Sequence, residues 1–323
     1  MKKNIGIIGT GSLGTALTYL LSQNKNKIYL YEKNPQIFSQ ILKHPKIKKQ
    51  KNIFPTSSLE EIIQTCEYLI PCLPSSVIDF FYNDLKPTYN NQKIISVSKG
   101  FYLNTTRTIS QTITSWLPLK NFIVFSGPTF AEEIIQQNPT SAILASNNPN
   151  ISKELFSIFN NNFFTPQIIH NKTIENEYTG ILKNCYAISL GIISKANFGM
   201  NTKCLCIDKI FTECKTFYQN NQLDSNQLYN ISFLGDLIAT GFNQNSRNYQ
   251  FGQKLKHNKK ITVEGELNLK PLLQIAKKTN TSLPILEITN KIINQPQNFS
   301  QHIRQLQKIL LAPSISMTAH TNK

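Results

Sequence analysis

Two lysines and one aspartate stand in apolar stretches of the sequence, where a charged side chain is unusual. Lys183 lies in a segment whose neighbours, including Leu182 and Tyr186, are apolar or aromatic on nearly every side of a helix. This pattern predicts a buried helix, in which an ammonium group must be paired with an opposite charge or lose its proton. Asp236 is a lone acid in a second apolar stretch, and Lys99 ends a predicted core strand. Lysines in such surroundings donate and accept protons near neutral pH, so we predict acid–base chemistry centred on Lys183.

Arg247 is one of only three arginines in a chain whose other basic residues are lysine. A position that keeps arginine against this bias favours a need for the planar guanidinium fork, which binds phosphate through two hydrogen bonds. Ser246 and Asn248 flank it with further hydrogen-bond donors. Simpler interpretations stay open: Arg247 could pair with a helix end, Lys183 could reach water from the rim of the core, and Lys99 could be solvated.

A glycine-rich loop follows the first predicted strand. Gly9, Gly11 and Gly14 have the spacing G-x-G-x-x-G, come directly after the apolar run 5–8 and open the predicted helix 12–22. The first glycine permits a tight turn, the second lets backbone approach a pyrophosphate, and the third allows the helix to pack on the strand. Main-chain N–H groups at the helix start then bind the anion. The sequence therefore predicts a dinucleotide site.

The choice between the two nicotinamide cofactors stays open at this stage. Glu32 follows the second predicted strand and could accept hydrogen bonds from a ribose hydroxyl, which favours NAD. The next residue, Lys33, could instead bind the 2′-phosphate of NADP.

The charge balance indicates composition rather than a nucleic-acid partner. The 323 residues include 34 basic and 18 acidic side chains, a formal net charge of +16. Proteins that read nucleic acids favour arginine, whereas here lysine, asparagine and isoleucine are abundant along the whole chain. The densest basic run, 43–51, is interpreted as a solvated loop. We predict no nucleic-acid partner.

The cysteines and the apolar runs also exclude several classes of protein. Six cysteines have irregular spacing and no zinc-like arrangement, so we predict no metal site and a reduced, cytoplasmic protein. The longest apolar run, near 185–193, is too short to cross a bilayer, so the chain is not membrane-embedded. Glycines interrupt the apolar N-terminus, which argues against a secretory signal.

The elements that must position these residues change character along the chain. Short apolar runs alternate with helix-length segments up to residue 170, a pattern that predicts an α/β domain with a doubly wound, mostly parallel sheet of the Rossmann type. Beyond it, helical spacing dominates. We predict a dinucleotide-binding domain over 1–170, an all-α substrate and catalytic domain over 171–313, and a loose tail over 314–323. The predicted strands are 5–8, 27–31, 68–73, 93–97, 121–125 and 142–145.

Seven motifs, in this order and approximate spacing, resemble bacterial NAD(P)-dependent glycerol-3-phosphate dehydrogenase over residues 4–295. They are GTGSLGTAL at 9–17, SKG at 98–100, SGPTFAEE at 126–133, LKN at 182–184, LGDL at 234–237, NSRN at 245–248 and VEG at 263–265. The resemblance implies a cytoplasmic homodimer that reduces dihydroxyacetone phosphate to sn-glycerol 3-phosphate for phospholipid synthesis, with NADH or NADPH as hydride donor.

The resemblance also assigns roles residue by residue. It implies that Lys183 is the general acid/base, that Lys99 contacts substrate and cofactor, and that Asp236 orients the lysine and the substrate hydroxyl. The other implied substrate contacts are Gly127, Thr129, Ser246, Arg247 and Asn248. The implied cofactor contacts are Gly9, Gly11, Ser12, Leu13, Gly14, Lys33, Ala131, Arg247, Thr262 and Glu264.

Three departures from the family pattern leave two other functions open. Phe233 and Ile210 replace usual glycines, and the stretch 252–263 is shortened. One alternative is a related β-hydroxyacid dehydrogenase of the same fold, which would not need the phosphate-binding Arg247. The other is a non-catalytic dinucleotide-binding sensor.

Overall fold

The computed structural model describes residues 2–255 and 263–313. Thr262, most of the shortened stretch and the predicted tail 314–323 lie outside them. The chain divides into two compact units: unit 1 comprises Met1–Lys183 and Tyr229–Ala239, and unit 2 comprises Asn184–Leu228 and Thr240–Lys323. The domain limits drawn from the sequence, at residues 170 and 313, stay a prediction.

Unit 1 is built on an eight-stranded sheet in the order β3-β2-β1-β4-β5-β6-β7-β8. Neighbouring strands are parallel except β6 and β7, so β7 and β8 run opposite to the rest. The strands are β1 (Asn4–Ile8), β2 (Lys27–Tyr31), β3 (Ile53–Thr56), β4 (Tyr68–Pro71), β5 (Lys93–Ser96), β6 (Phe122–Ser126), β7 (Thr140–Ser146) and β8 (Phe164–His170).

Helices are distributed through both units. They are α1 (Ser12–Ser22), α2 (Pro35–Leu42), α3 (Pro45–Lys48), α4 (Leu59–Thr65), α5 (Ile78–Leu85), α6 (Ile109–Ile113), α7 (Ala131–Gln136), α8 (Ser152–Phe159), α9 (Thr173–Lys195), α10 (Met200–Asn220), α11 (Asp236–Gly241), α12 (Arg247–Lys254), α13 (Glu264–Lys278), α14 (Pro284–Asn294) and α15 (Phe299–Leu311).

Both faces of the sheet are covered, as the consecutive apolar residues of its strands require. Side chains alternate between faces along a strand, and two separate core clusters follow this alternation. Ile5 and Ile7 of β1 belong to one cluster, which includes residues of α1 and α8. Ile8 belongs to the other, with residues of α4 and α5. The predicted doubly wound, mostly parallel sheet is confirmed.

Two strands were not predicted from the sequence, and both lie at an edge of the sheet. Ile53–Thr56 has no fully buried residue, and Phe164–His170 alternates buried with exposed positions only at its start. Each contains a proline, Pro55 and Pro166, which sequence patterns count against a strand and which edge strands tolerate.

The described part of unit 2 is helical, as predicted for the second half of the chain. Its buried side chains recur at helical spacing, for example Leu269, Leu272 and Ile275 on α13. Within residues 2–255 and 263–313, no helix has both the length and the apolar character needed to span a bilayer.

Candidate active site

Three of the predicted residues form one charged cluster in unit 1. Lys99 Nζ donates to Asp236 Oδ2 at 2.7 Å, and Lys183 Nζ donates to Asp236 Oδ1 at 3.1 Å. Lys183 and Asp236 are 6 % and 2 % exposed. Each carboxylate oxygen therefore holds one ammonium group, and the long-range partners, 137 and 53 residues apart, are brought together by the fold.

The cluster is positioned by three different elements, one strand and two helices. Lys99 follows β5 at the carboxyl edge of the sheet, where ligands of such folds bind. Lys183 lies in α9, and Asp236 is the first residue of α11. Gly180 of α9 makes close packing possible, because a Cβ at this position would lie 3.0 Å from Lys99 Cγ.

The electrostatics of the cluster keep the carboxylate ionised. Burial favours the neutral acid, but the nearby ammonium groups of Lys183 and Lys99 outweigh it and lower the pKa of Asp236. With both lysines protonated, these three side chains carry one net positive charge. Such a charge stabilises a developing alkoxide, and a lysine in the cluster can supply its proton.

A π-helical turn, Ile231–Gly235, directly precedes Asp236 and positions it in the cluster. Asn230 caps this turn, with its Oδ1 accepting from the Ser232 main-chain N–H at 3.0 Å. Ser232 Oγ lies 2.9 Å from Asn176 Oδ1 on α9. The sequence analysis did not identify Asn176 or Ser232 as site residues. A polar residue close to a lone acid in an apolar stretch was a usable signal. Phe233 is fully buried in this turn.

The segment after β6 lies beside Lys99. The ammonium group of Lys99 also donates to the carbonyl of Gly127 at 3.4 Å, and Thr129 Oγ1 donates to the same carbonyl at 3.3 Å. Gly127 has φ +152°, and a Cβ there would lie 3.1 Å from Ala142 Cα. Ala131 begins α7 and is half-buried against the core. The structure thus brings together Gly127, Thr129 and Lys99, three of the predicted substrate contacts.

The glycine loop has the geometry that a pyrophosphate requires. Gly9 has φ +97°, and a Cβ there would lie 2.9 Å from the carbonyl oxygen of Cys72. A Cβ at Gly14 would lie 2.0 Å from the carbonyl oxygen of Gly9, whereas a Cβ at Gly11 would meet no atom of the described residues within 4 Å. No side chain caps the start of α1, whose first residues are Ser12 and Leu13. These N–H groups and the open space beside Gly11 fit a dinucleotide phosphate.

Glu32 joins the glycine loop to the end of β2. Its Oε2 accepts from Thr10 N–H at 3.1 Å and from Thr10 Oγ1 at 2.7 Å, and its Oε1 accepts from Asn34 N–H at 3.0 Å. Burial raises the pKa of Glu32, but these hydrogen bonds outweigh it and the pKa is lowered. Lys33 is exposed. An ionised carboxylate and a solvated ammonium group therefore lie side by side in the sequence.

The remaining described candidates lie in unit 2. Ser246 caps α12, accepting from Tyr249 N–H, and Arg247 is the exposed first residue of that helix. Asn248 donates to Asn184 Oδ1 and accepts from the main-chain N–H of Gly265, both at 3.0 Å. Asn184 in turn donates to Glu264 at 3.1 Å. The Asn248 amide thus ties α9, α12 and α13 together within unit 2.

Two further predictions concern Thr262 and metal ions. Thr262 lies outside the described residues. Within the described ranges, no group of three or more histidine, cysteine, aspartate or glutamate side chains could hold a metal ion.

A doubly wound sheet, a glycine loop at the first strand and a buried Lys–Asp–Lys cluster at the carboxyl edge define a nucleotide-dependent dehydrogenase of the Rossmann class. Residues 4–152 match the family model for the N-terminus of NAD-dependent glycerol-3-phosphate dehydrogenase, and residues 173–304 match the model for its C-terminus. The chain belongs to the NAD-dependent glycerol-3-phosphate dehydrogenase family.

Individual relatives agree with this assignment. A glycerol-3-phosphate dehydrogenase [NAD(P)+] of Ehrlichia ruminantium (strain Welgevonden) is 32 % identical over 304 residues, covering 87 % of this chain and 92 % of the relative. One from Fusobacterium nucleatum is 29 % identical over 321 residues, covering 94 % and 96 %. The crystal structure of glycerol-3-phosphate dehydrogenase from Coxiella burnetii has a TM-score of 0.85 at 23 % identity, covering 95 % of this chain and 99 % of that one. That structural likeness concerns the fold.

Proposed function

We propose that this chain catalyses the reversible reduction of dihydroxyacetone phosphate to sn-glycerol 3-phosphate, with NADH or NADPH as hydride donor. The observation that carries the proposal is the Lys99–Asp236–Lys183 cluster, in which one buried carboxylate holds two ammonium groups. Family membership supports the reaction, and the cluster supplies the acid–base and electrostatic groups that a ketone reduction requires.

A nicotinamide cofactor, when bound, would supply the hydride that the carbonyl carbon of the substrate receives. In our proposal Lys183 Nζ donates a proton to the carbonyl oxygen as negative charge develops there, so the ketone becomes an alcohol with one hydride and one proton added. In the reverse direction the neutral amine takes the proton back. Asp236 keeps both ammonium groups in place, and Lys99 adds positive charge beside the carbonyl oxygen.

The remaining predicted residues are proposed to hold the two ligands. Arg247 and Ser246 bind the substrate phosphate, and Asn248 contributes its main-chain N–H because its side-chain amide is engaged by Asn184 and Gly265. Gly127 and Thr129 bind the substrate beside Lys99. The proposed cofactor contacts are Gly9, Gly11, Ser12, Leu13, Gly14, Lys33, Lys99, Ala131, Arg247, Thr262 and Glu264.

At the scale of the cell, we propose a cytoplasmic homodimer whose product enters glycerophospholipid synthesis. Family membership supports the metabolic role and the dimer. Buried reduced cysteines, such as Cys185, Cys206 and Cys214, agree with a reducing compartment.

The proposed function is tested by following NADH and NADPH oxidation with dihydroxyacetone phosphate. We expect turnover by the wild type and a loss of about 1,000-fold in Lys183→Ala, in the range for losing a general acid. Lys195→Ala, which removes an exposed lysine from the same helix, is the matched control and should keep wild-type activity. Equal activity of Lys183→Ala and wild type would contradict the mechanism. Turnover of a 3-hydroxy acid instead, or NADH binding without turnover, would favour the two alternatives.

A further inference from the structure

Lys99 lies on a segment that has little regular structure of its own. Residues 97–108 connect β5 to α6, and a single antiparallel bridge between Phe101 and Thr108 closes them into a loop. Within the loop, Tyr102 N–H donates to the carbonyl of Arg107 at 2.9 Å. A lysine at the base of such a loop needs support from elsewhere if its ammonium group is to stay at one place.

That support comes from the first turns of α9. The carboxylate of Glu177 accepts the Ser110 main-chain N–H at 3.0 Å through Oε1 and the Ser110 hydroxyl through Oε2. One residue later, the rings of Tyr178 and Phe101 meet edge to face, with centroids 6.1 Å apart. Two residues further, Gly180 packs against the side chain of Lys99. Two of these contacts join α9 to the loop that carries Lys99, and the third joins α9 to the start of α6, directly after that loop.

Burying the carboxyl group of Glu177 to make this connection costs free energy. It is 4 % exposed, and burial raises its pKa to about 7 although hydrogen bonds from Ser110 oppose the rise. Its hydrogen-bond donors among the described residues are neutral groups around Ser110 and Thr108, and the titratable side chains Tyr178 and Tyr82 lie near it. Buried carboxylates without a basic partner cost free energy, so packing stability does not account for this residue.

Capping of α6 accounts for only part of what Glu177 does. Thr108 and Gln111 form a reciprocal capping box at the start of α6, in which each side chain accepts from the other residue's main-chain N–H. Glu177 accepts the N–H of Ser110 in the same first turn. Because Glu177 lies on a different helix, its hydrogen bonds also join the start of α6 to α9.

We propose that Glu177 is a positioning residue: by holding the loop 97–108 against α9 it fixes Lys99 relative to Asp236 and Lys183. The proposal rests on the proposed function and deepens it. Asn176, the preceding residue, contacts the turn that precedes Asp236, so adjacent side chains on α9 contact that turn and the start of α6, which follows the loop of Lys99. In this proposal, contacts from α9 set the relative positions of Lys99, Asp236 and Lys183.

The experiment compares Glu177→Ala, Glu177→Gln and Ser110→Ala, with Glu175→Gln on the same helix as control. We expect Glu177→Ala to lower kcat for dihydroxyacetone phosphate about 10- to 100-fold, the cost of a small misplacement. Ser110→Ala should lower kcat less, because alanine keeps the main-chain N–H that donates to Glu177 and loses only the hydroxyl. The Kd for NADH, measured by fluorescence, should change much less than kcat, because Lys99 is only one of the proposed cofactor contacts. Glu177→Gln keeps an acceptor for the N–H and should recover to within about fivefold of wild type. If Glu177→Ala does not fold, Ser110→Ala weakens the same contact from the other side by removing the hydrogen bond of the hydroxyl.

A double-mutant cycle with Lys99→Ala separates positioning from general stability. If Glu177 acts through Lys99, Glu177→Ala should cost less than about threefold once Lys99 is alanine. A full additional loss in that background, or wild-type kcat in both single variants, overturns the proposal. Absence of turnover in the wild type would instead defeat the proposed function. Amide exchange of segment 97–108 then remains as the independent measure, and it must increase in Glu177→Ala for the positioning role to stand.

Discussion

At the scale of single residues, Asp236 is the centre of the candidate site. It neutralises one of two neighbouring ammonium groups and orients both, and it is itself kept ionised by them. Removing its charge leaves two buried or half-buried cations close together without compensation. Such a change is costly both for folding and for the alignment of Lys183.

Asp236→Asn should therefore lose activity and stability together. We expect kcat to fall about 100-fold through misalignment of the lysines. The free energy of unfolding should fall by about 3 kcal/mol, the cost of removing one partner of a buried ion pair. Steady-state rates and urea unfolding measure the two effects. Asp208→Asn, on α10 and outside the cluster, is the control. A variant with wild-type kcat would show that the carboxylate has no part in the reaction.

At the scale of elements, α9 places Lys183 and packs against Lys99 through Gly180. This contact depends on the absence of a side chain rather than on the presence of one. A methyl group at Gly180 would lie 3.0 Å from Lys99 Cγ, a distance at which the lysine side chain must shift by a few tenths of an ångström.

Gly180→Ala should separate activity from stability. Alanine favours the helix by about 0.5–1 kcal/mol over glycine, so the Tm should hold or rise. The displaced lysine should lower kcat about tenfold. Gly199→Ala is the matched control, because a Cβ there meets no atom within 4 Å. Unchanged kcat in Gly180→Ala would mean that Lys99 tolerates the displacement.

Particular elements show how much of the fold and the site could be predicted from the sequence. The strands buried on both faces, such as Asn4–Ile8, were predictable because short runs of consecutive apolar residues are typical of strands covered on both sides. The edge strands Ile53–Thr56 and Phe164–His170 were not, since exposure and proline conceal their pattern. The burial of Lys183 followed from its apolar helix. Its pairing with Asp236 was implied only by the family resemblance, because contacts between residues 53 positions apart arise from the fold and leave no local pattern in the sequence.

At the scale of the whole molecule, two buried carboxyl groups make stability depend on pH. Burial raises the pKa of Glu177 to about 7. In unit 2, burial raises the pKa of Glu213 to about 8, against hydrogen bonds from Ile285 N–H and Tyr186. A carboxyl group with a raised folded pKa contributes stability that is complete below its unfolded pKa, near 4.5, and is lost as pH rises through the folded value.

The free energy of unfolding should therefore fall between about pH 5 and pH 8. Ionisation of Glu177 alone corresponds to about 3 kcal/mol, at about 1.4 kcal/mol for each pKa unit. Urea unfolding at several pH values measures the slope. Glu213→Gln and Glu177→Gln cannot ionise, and each should flatten the profile. A profile that is equally steep in both variants would assign the pH dependence to other groups.

The open space beside Gly11 distinguishes this residue from Gly9 and Gly14 of the same loop. Gly9 and Gly14 are needed for the chain to turn and pack, since a side chain at either position meets backbone. At Gly11 a side chain meets no described atom within 4 Å, so the fold itself does not require a glycine there. In the proposed function a side chain at residue 11 would obstruct the pyrophosphate, so a substitution at this position would remove coenzyme binding and leave the architecture intact.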